Sequence, residues 1–129
     1  MPYLASAAPY VVPVSLIIVG VIHLLPLVGV LGPDRLAVLY GFAFDEPNLV
    51  ILMRHRAVLF GLLGGFMVFA AARPSMQGLA LLAGFVSVAS FLLLAIAAGG
   101  YNMQMGRVVG VDCFALACIL LGGLARAAR

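Results

Sequence analysis

The sequence predicts an all-α membrane protein: an antiparallel bundle of four transmembrane helices, with a short interfacial helix between helices one and two. Three observations predict it. The 129 residues are 66% hydrophobic and only 9% charged, with a mean hydropathy of +1.27. Soluble domains carry about 25% charged residues, and a chain of this size has too much surface to cover with so few. Four apolar runs each approach the roughly 20 residues that cross a bilayer. Between them stands turn chemistry: Gly32-Pro33, Asp45-Glu46-Pro47-Asn48, Arg73-Pro74 and Gly99-Gly100-Tyr101-Asn102.

Taken in order, the first span is expected at about 10–31. It has no basic stretch before it and no cleavage site after it, so it reads as a retained span and not a signal peptide. Pro26 frees the carbonyl of Ile22 and predicts a kink one turn beyond His23. The segment at about 33–41 opens with Pro33 and Asp34, which suit a helix start. Leu36, Leu39 and Tyr40 share one face, and Gly41 can stop the turn. That pattern predicts a short amphipathic helix on the membrane surface, with Phe42-Ala43-Phe44 dipping into the interface. The remaining spans are expected at about 48–72, 75–98 and 106–125, in a single integral membrane domain covering 1–129. Ser87 and Ser90 in the third span are expected to bond back to their own helix.

The basic residues are all Arg: Arg35, Arg54, Arg56, Arg73, Arg107, Arg126 and Arg129. They form no basic cluster, which excludes nucleic acid as a partner. Cys113 and Cys118 would point about 140° apart on one helix, too far for a disulfide between them. With four spans, Arg73, Arg126 and Arg129 fall on one side, and all four acids (Asp34, Asp45, Glu46, Asp112) on the other. The positive-inside rule then places both termini in the cytoplasm of a multi-pass inner-membrane protein.

The most informative residues are Arg54-His55-Arg56, inside the second apolar run. An Arg at a bilayer centre costs about 2.5–3.5 kcal/mol on insertion scales, so partners or a polar cavity are expected. Threading the helices gathers Arg54, His55, Arg56, Arg107, Asp112, Tyr101, Asn102, Asp45, Glu46 and His23 in one leaflet and leaves the other half almost purely apolar. Such asymmetry predicts a pocket open to one side, not a conducting pore. Arg54 shares a stripe with Gly61 and Gly65, where small residues admit another helix. It is therefore expected to point into the bundle, with Asp112 as partner for it or for His55. Arg56, about 200° away around the helix, is expected to snorkel toward Asp45 or Glu46. These pairings are structural ion pairs in one reading. In the other, Arg54, His55, Asp112, His23, Asn102, Arg107 and Tyr101 bind a ligand. For His23, a hydrogen-bonded core histidine is the simpler alternative.

At HRAVLFGLLGG, with LYGFAFDEPNL before it and GGYN…RVVGVD after it, the chain resembles a group of small bacterial four-helix membrane proteins. The likeness covers about residues 16–121. It implies a membrane fold and no established activity. Members of that group often carry the label phosphopantetheine adenylyltransferase. That enzyme is a soluble nucleotide-binding α/β protein with a short paired-histidine motif, and here His23 and His55 are the only histidines and lie in no such motif. In size and helix count the chain also resembles DoxX-like four-helix proteins, at the level of fold.

The function favoured by these observations is non-enzymatic. The outer-leaflet pocket would bind a lipid, quinone or similar amphiphile, or the chain would serve as accessory subunit to a membrane protein partner. One alternative is a small membrane enzyme using His55 or His23 with Asp112 for acid–base chemistry. Another is a transporter built as a homo-oligomer. No cofactor is expected. A metal held by His23, His55 and Asp112 is disfavoured, because nearby arginines repel a divalent cation. Serine-triad and phosphate-loop readings find no support, because no nucleophile elbow is present and no Gly-rich loop precedes a Lys.

Overall fold

The computed structural model describes residues 2–129, and every regular element among them is helical. Helix α1 (Pro2–Leu24) runs directly into a 3-10 segment (Leu25–Leu31). A short helix α2 (Pro33–Tyr40) follows, and then three long helices, α3 (Pro47–Ala71), α4 (Pro74–Ala98) and α5 (Met103–Ala127). Four stretches are long and apolar enough to cross a membrane: Ala7–Leu31, Pro47–Ala71, Pro74–Ala98 and Met103–Ala127. This is the make-up of a multi-pass membrane protein.

The helix boundaries follow from local chemistry. Pro47, Pro74 and Pro33 each sit in the first turn of their helices, where no N–H is needed. Glu46 caps α3 and Asn102 caps α5 with side-chain oxygens. At Pro26 the chain does not resume as an α-helix after a kink. It tightens into the 3-10 segment, with Pro26 in the first turn. Gly41 ends α2 at φ 78, where a side chain would also collide with Gln104.

Helix α1 packs against α3 and α5, and α4 packs against the same two helices. The buried stripe of α1 is Val12, Leu16, Val19 and His23, a four-three-four spacing on one face. On α3 the matching stripe is Ala57, Gly64, Met67 and Ala71. Gly20 and Gly64 let α1 and α3 touch backbone to backbone: a Cβ on Gly64 would lie 2.6 Å from the Gly20 carbonyl oxygen. Leu36, Tyr40 and Phe44 form a second cluster that fastens α2 over α3 and α5. Phe44 is therefore buried and does not dip outward, whereas Phe42 is exposed.

At most 33% of any spanning window is buried inside the protein. Leu94 and Ile96 on α4 are 70% and 76% exposed, and Leu124 on α5 is 69% exposed. Faces this apolar suit contact with lipid chains, since a helix satisfies its interior backbone groups within itself.

Candidate functional site

The site is built on the first turns of α3 beyond its cap. Arg56 flanks the buried stripe of α3, about 60° from its midline on a helical wheel. Its Nη1 donates to Tyr40 Oη at 2.7 Å. The guanidinium lies over the Phe60 ring, 4.4 Å from the centroid, and 5.6 Å from that of Tyr40. Phe60 is four residues beyond Arg56, one helical turn away, so both stand on the same face. Two aromatic faces and a phenol thus replace part of the hydration that this half-buried cation loses.

Arg56 and Phe60 separate two cavities. The larger is a groove of about 650 Å³ between α3, α4 and the connection into α5. Ser87, Phe91 and Leu94 of α4 line it, with Tyr101 and Asn102 at its polar end and Phe42 at its rim. The smaller is about 100 Å³ and lies toward α1 and α5, bounded by His23, Tyr40 and Asp112. Asn102 holds the polar end together: its Nδ2 donates to Tyr40 O at 2.8 Å, and its Oδ1 accepts from Met105 N.

The arginine pairings expected from sequence are replaced by others. Arg54 does not enter the bundle and does not meet Asp112. It is exposed, and its Nε donates to Val30 O at 2.8 Å. The reason lies in the 3-10 segment, where the Val30 carbonyl would be claimed by residue 33, and Pro33 has no N–H. Gly61, on the Arg54 side of α3, meets Leu27 of that segment, and Gly65 faces open space. Arg56 in turn does not snorkel to Asp45 or Glu46. Glu46 is occupied in capping α3, accepting from Asn48 N and Leu49 N at 3.0 and 2.8 Å, and Asp45 is exposed. Asp112 instead shares the small cavity with Arg56. Among the described residues no arginine and carboxylate reach ion-pair distance.

The other expected residues divide. Tyr101 and Asn102 line the groove. His55 is exposed on the opposite side of α3, and Arg107 is exposed with its guanidinium 3.7 Å from Met103 Sδ. His23 is 2% exposed, with its ring 5.5 Å from that of Phe60. His23, His55 and Asp112 do not gather as a ligand set among the described residues. Ser90 bonds back to Ser87 O within α4, but Ser87 Oγ pairs with His23 Nε2 at 3.0 Å.

Tyr40 and Phe60 were missed as site residues. The signal for Phe60 was its four-residue spacing from Arg56. Gln77 was missed too, in the half expected to be apolar. It is 2% exposed, its Nε2 donates to Ala71 O at 3.0 Å, and its Oε1 is buried without a partner among the described residues.

The chain matches no family model, no curated protein and no solved structure in comparison with known proteins. Geometry therefore carries the functional argument.

Proposed function

We propose that this protein binds one amphiphile, a lipid or quinone-like molecule, in the groove beside Arg56. The observation that carries the reading is the position of that guanidinium. It stands on the wall between a large groove and a small cavity, with one of its five N–H donors used by Tyr40. Others are free to meet a carboxylate, phosphate or carbonyl head, while Phe91 and Leu94 offer an apolar wall to a chain. The accessory-subunit reading rests on exposed apolar faces, which lipid covers equally well.

In this reading the four spans form an antiparallel bundle in the bacterial inner membrane. Arg73, Arg126 and Arg129 mark the cytoplasmic side, together with both termini. Helix α2 lies at the opposite interface and anchors the polar end of the groove, where Tyr40 O accepts from Asn102 Nδ2.

The test is native mass spectrometry of protein gently extracted from its membrane, comparing wild type, Arg56→Gln and Arg54→Gln. A discrete bound mass in wild type and in Arg54→Gln, lost in Arg56→Gln, is the expected result. Bare protein in all three samples, or a bound mass indifferent to Arg56, would sink the proposal.

A further inference from the structure

One hydrogen bond in the groove wall exceeds what binding needs. Ser87 Oγ of α4 lies 3.0 Å from Nε2 of His23 on α1. The other ring nitrogen, Nδ1, lies 2.8 Å from the carbonyl oxygen of Val19. A carbonyl only accepts, so Nδ1 carries a proton. In the neutral ring Nε2 then presents a lone pair, and the Ser87 hydroxyl donates to it. The Val19 carbonyl fixes the tautomer that a carboxylate fixes in a Ser-His-Asp site.

Serines inside helices ordinarily donate to a carbonyl one turn back. Ser90 does so, to Ser87 O at 3.0 Å. Ser87 has exchanged that bond for an imidazole on another helix. His23 is sealed from the surface, while Ser87 is half-buried and lines the groove. Arg56 borders both the groove and a narrower recess at Ser87, so a cation stands on the same wall as the hydroxyl.

We infer that Ser87 and His23 form a nucleophile–base pair that cleaves an ester-linked acyl lipid. The inference rests on the amphiphile groove proposed above. Ser87 Oγ attacks the ester carbonyl carbon while His23 Nε2 takes the hydroxyl proton. Negative charge collects on the carbonyl oxygen, where the Arg56 guanidinium stabilises it. The adduct collapses with cleavage of the ester C–O bond, and the departing alkoxide takes the proton from His23. Water entering past Tyr101 and Asn102 attacks the acyl-serine. His23 accepts its proton and returns it to Ser87, and a free fatty acid leaves.

The experiment uses the full chain in detergent micelles and a long-chain alkyl fluorophosphonate, which phosphonylates activated serine with loss of fluoride. Adducts are located by peptide mass mapping. Ser87 is expected to be labelled in wild type. His23→Gln, which keeps a hydrogen-bonding side chain, should slow labelling about a hundredfold. A bond that is only structural leaves wild-type Ser87 unmodified, and that result needs no variant to fold. Labelling unaffected by His23→Gln also overturns the pair. A bound lipid that depends on Arg56, without a Ser87 adduct, overturns the pair and leaves the groove standing; neither lipid nor adduct overturns both.

Discussion

Around Val12, Leu16, Met67 and Ile119 the four long helices are closed on one another, whereas around Arg56 they stand apart. The two regions belong to the same helices and the same apolar runs. What differs is side-chain size at the crossing. On α3 the closed region presents Gly64, Met67, Ala70 and Ala71, and the open region presents Arg56 and Phe60. On α4, Ala80 and Gly84 give way to Ser87, Phe91 and Leu94. In lipid no hydrophobic force pulls apolar helices together, so close packing of small residues must do it. The groove begins on α3 where Gly64 gives way to Phe60 and Arg56.

The largest predicted effect breaks the closed region. In Gly64→Leu the new side chain has no space, since even its Cβ would meet the Gly20 carbonyl and Leu24. A loss of about 3 kcal/mol is expected, seen as a large fall in the melting temperature in detergent. Gly65→Leu is the matched control, because nothing lies within 4 Å of a Cβ there. Equal losses in the two variants would show that the α1–α3 crossing does not close the bundle.

A smaller effect separates two arginines two residues apart. Arg54 satisfies a carbonyl that a proline leaves unpaired, as Arg129 does for Pro9 O, which Pro13 cannot claim. Arg54→Gln should cost about 1 kcal/mol of stability and leave amphiphile binding intact. The cost should shrink in a Pro33→Ala background, where residue 33 again has an N–H for Val30. Arg56→Gln should lose binding, and its melting temperature should fall as well, since the Tyr40 hydrogen bond and the Phe60 contact go with the guanidinium. Identical behaviour of the two variants would remove the distinction on which the proposed site rests.

The sequence made the four long apolar helices and the short α2 legible, because length, hydropathy and punctuation are local. It also singled out Arg56, Tyr101 and Asn102, which line the groove. The faces of α3 were misjudged for a physical reason. Gly61 and Gly65 suggested a contact stripe through Arg54, but the seven-residue repeat Ala57, Gly64 and Ala71 marks the true one. That repeat sets Arg56 beside the core and Arg54 beside the 3-10 segment. A 3-10 segment inside an apolar run has no sequence signature, so Val30 could not be foreseen as a partner. His23 was expected only as a hydrogen-bonded core histidine beside Pro26, and the structure sets it on the buried stripe of Val12, Leu16 and Val19. Its partner Ser87 stands on a helix distant in sequence, and no periodicity links the two.

The smallest effect concerns the entry of α3, outside both regions. The backbone N–H groups of Asn48 and Leu49 bind the Glu46 carboxylate and hold its pKa below the ordinary 4.5. The charged form is therefore favoured in the folded protein. Its contribution to stability is complete above about pH 4.5 and is lost as pH falls through the lowered folded value. Melting temperature followed from pH 7 to pH 3 should fall at the acid end in wild type, and less steeply in Glu46→Gln. Parallel curves would mean the cap does not titrate with folding. Arg56 lies more than two turns beyond this cap, fixed by Tyr40 and Phe60. Fraying of the first turn should leave its position unchanged, so amphiphile binding should not follow the acid limb of the melting curve. If it did, the groove would depend on the helix entry, and the division between a closed scaffold and an open site would need to include α2 and the cap of α3.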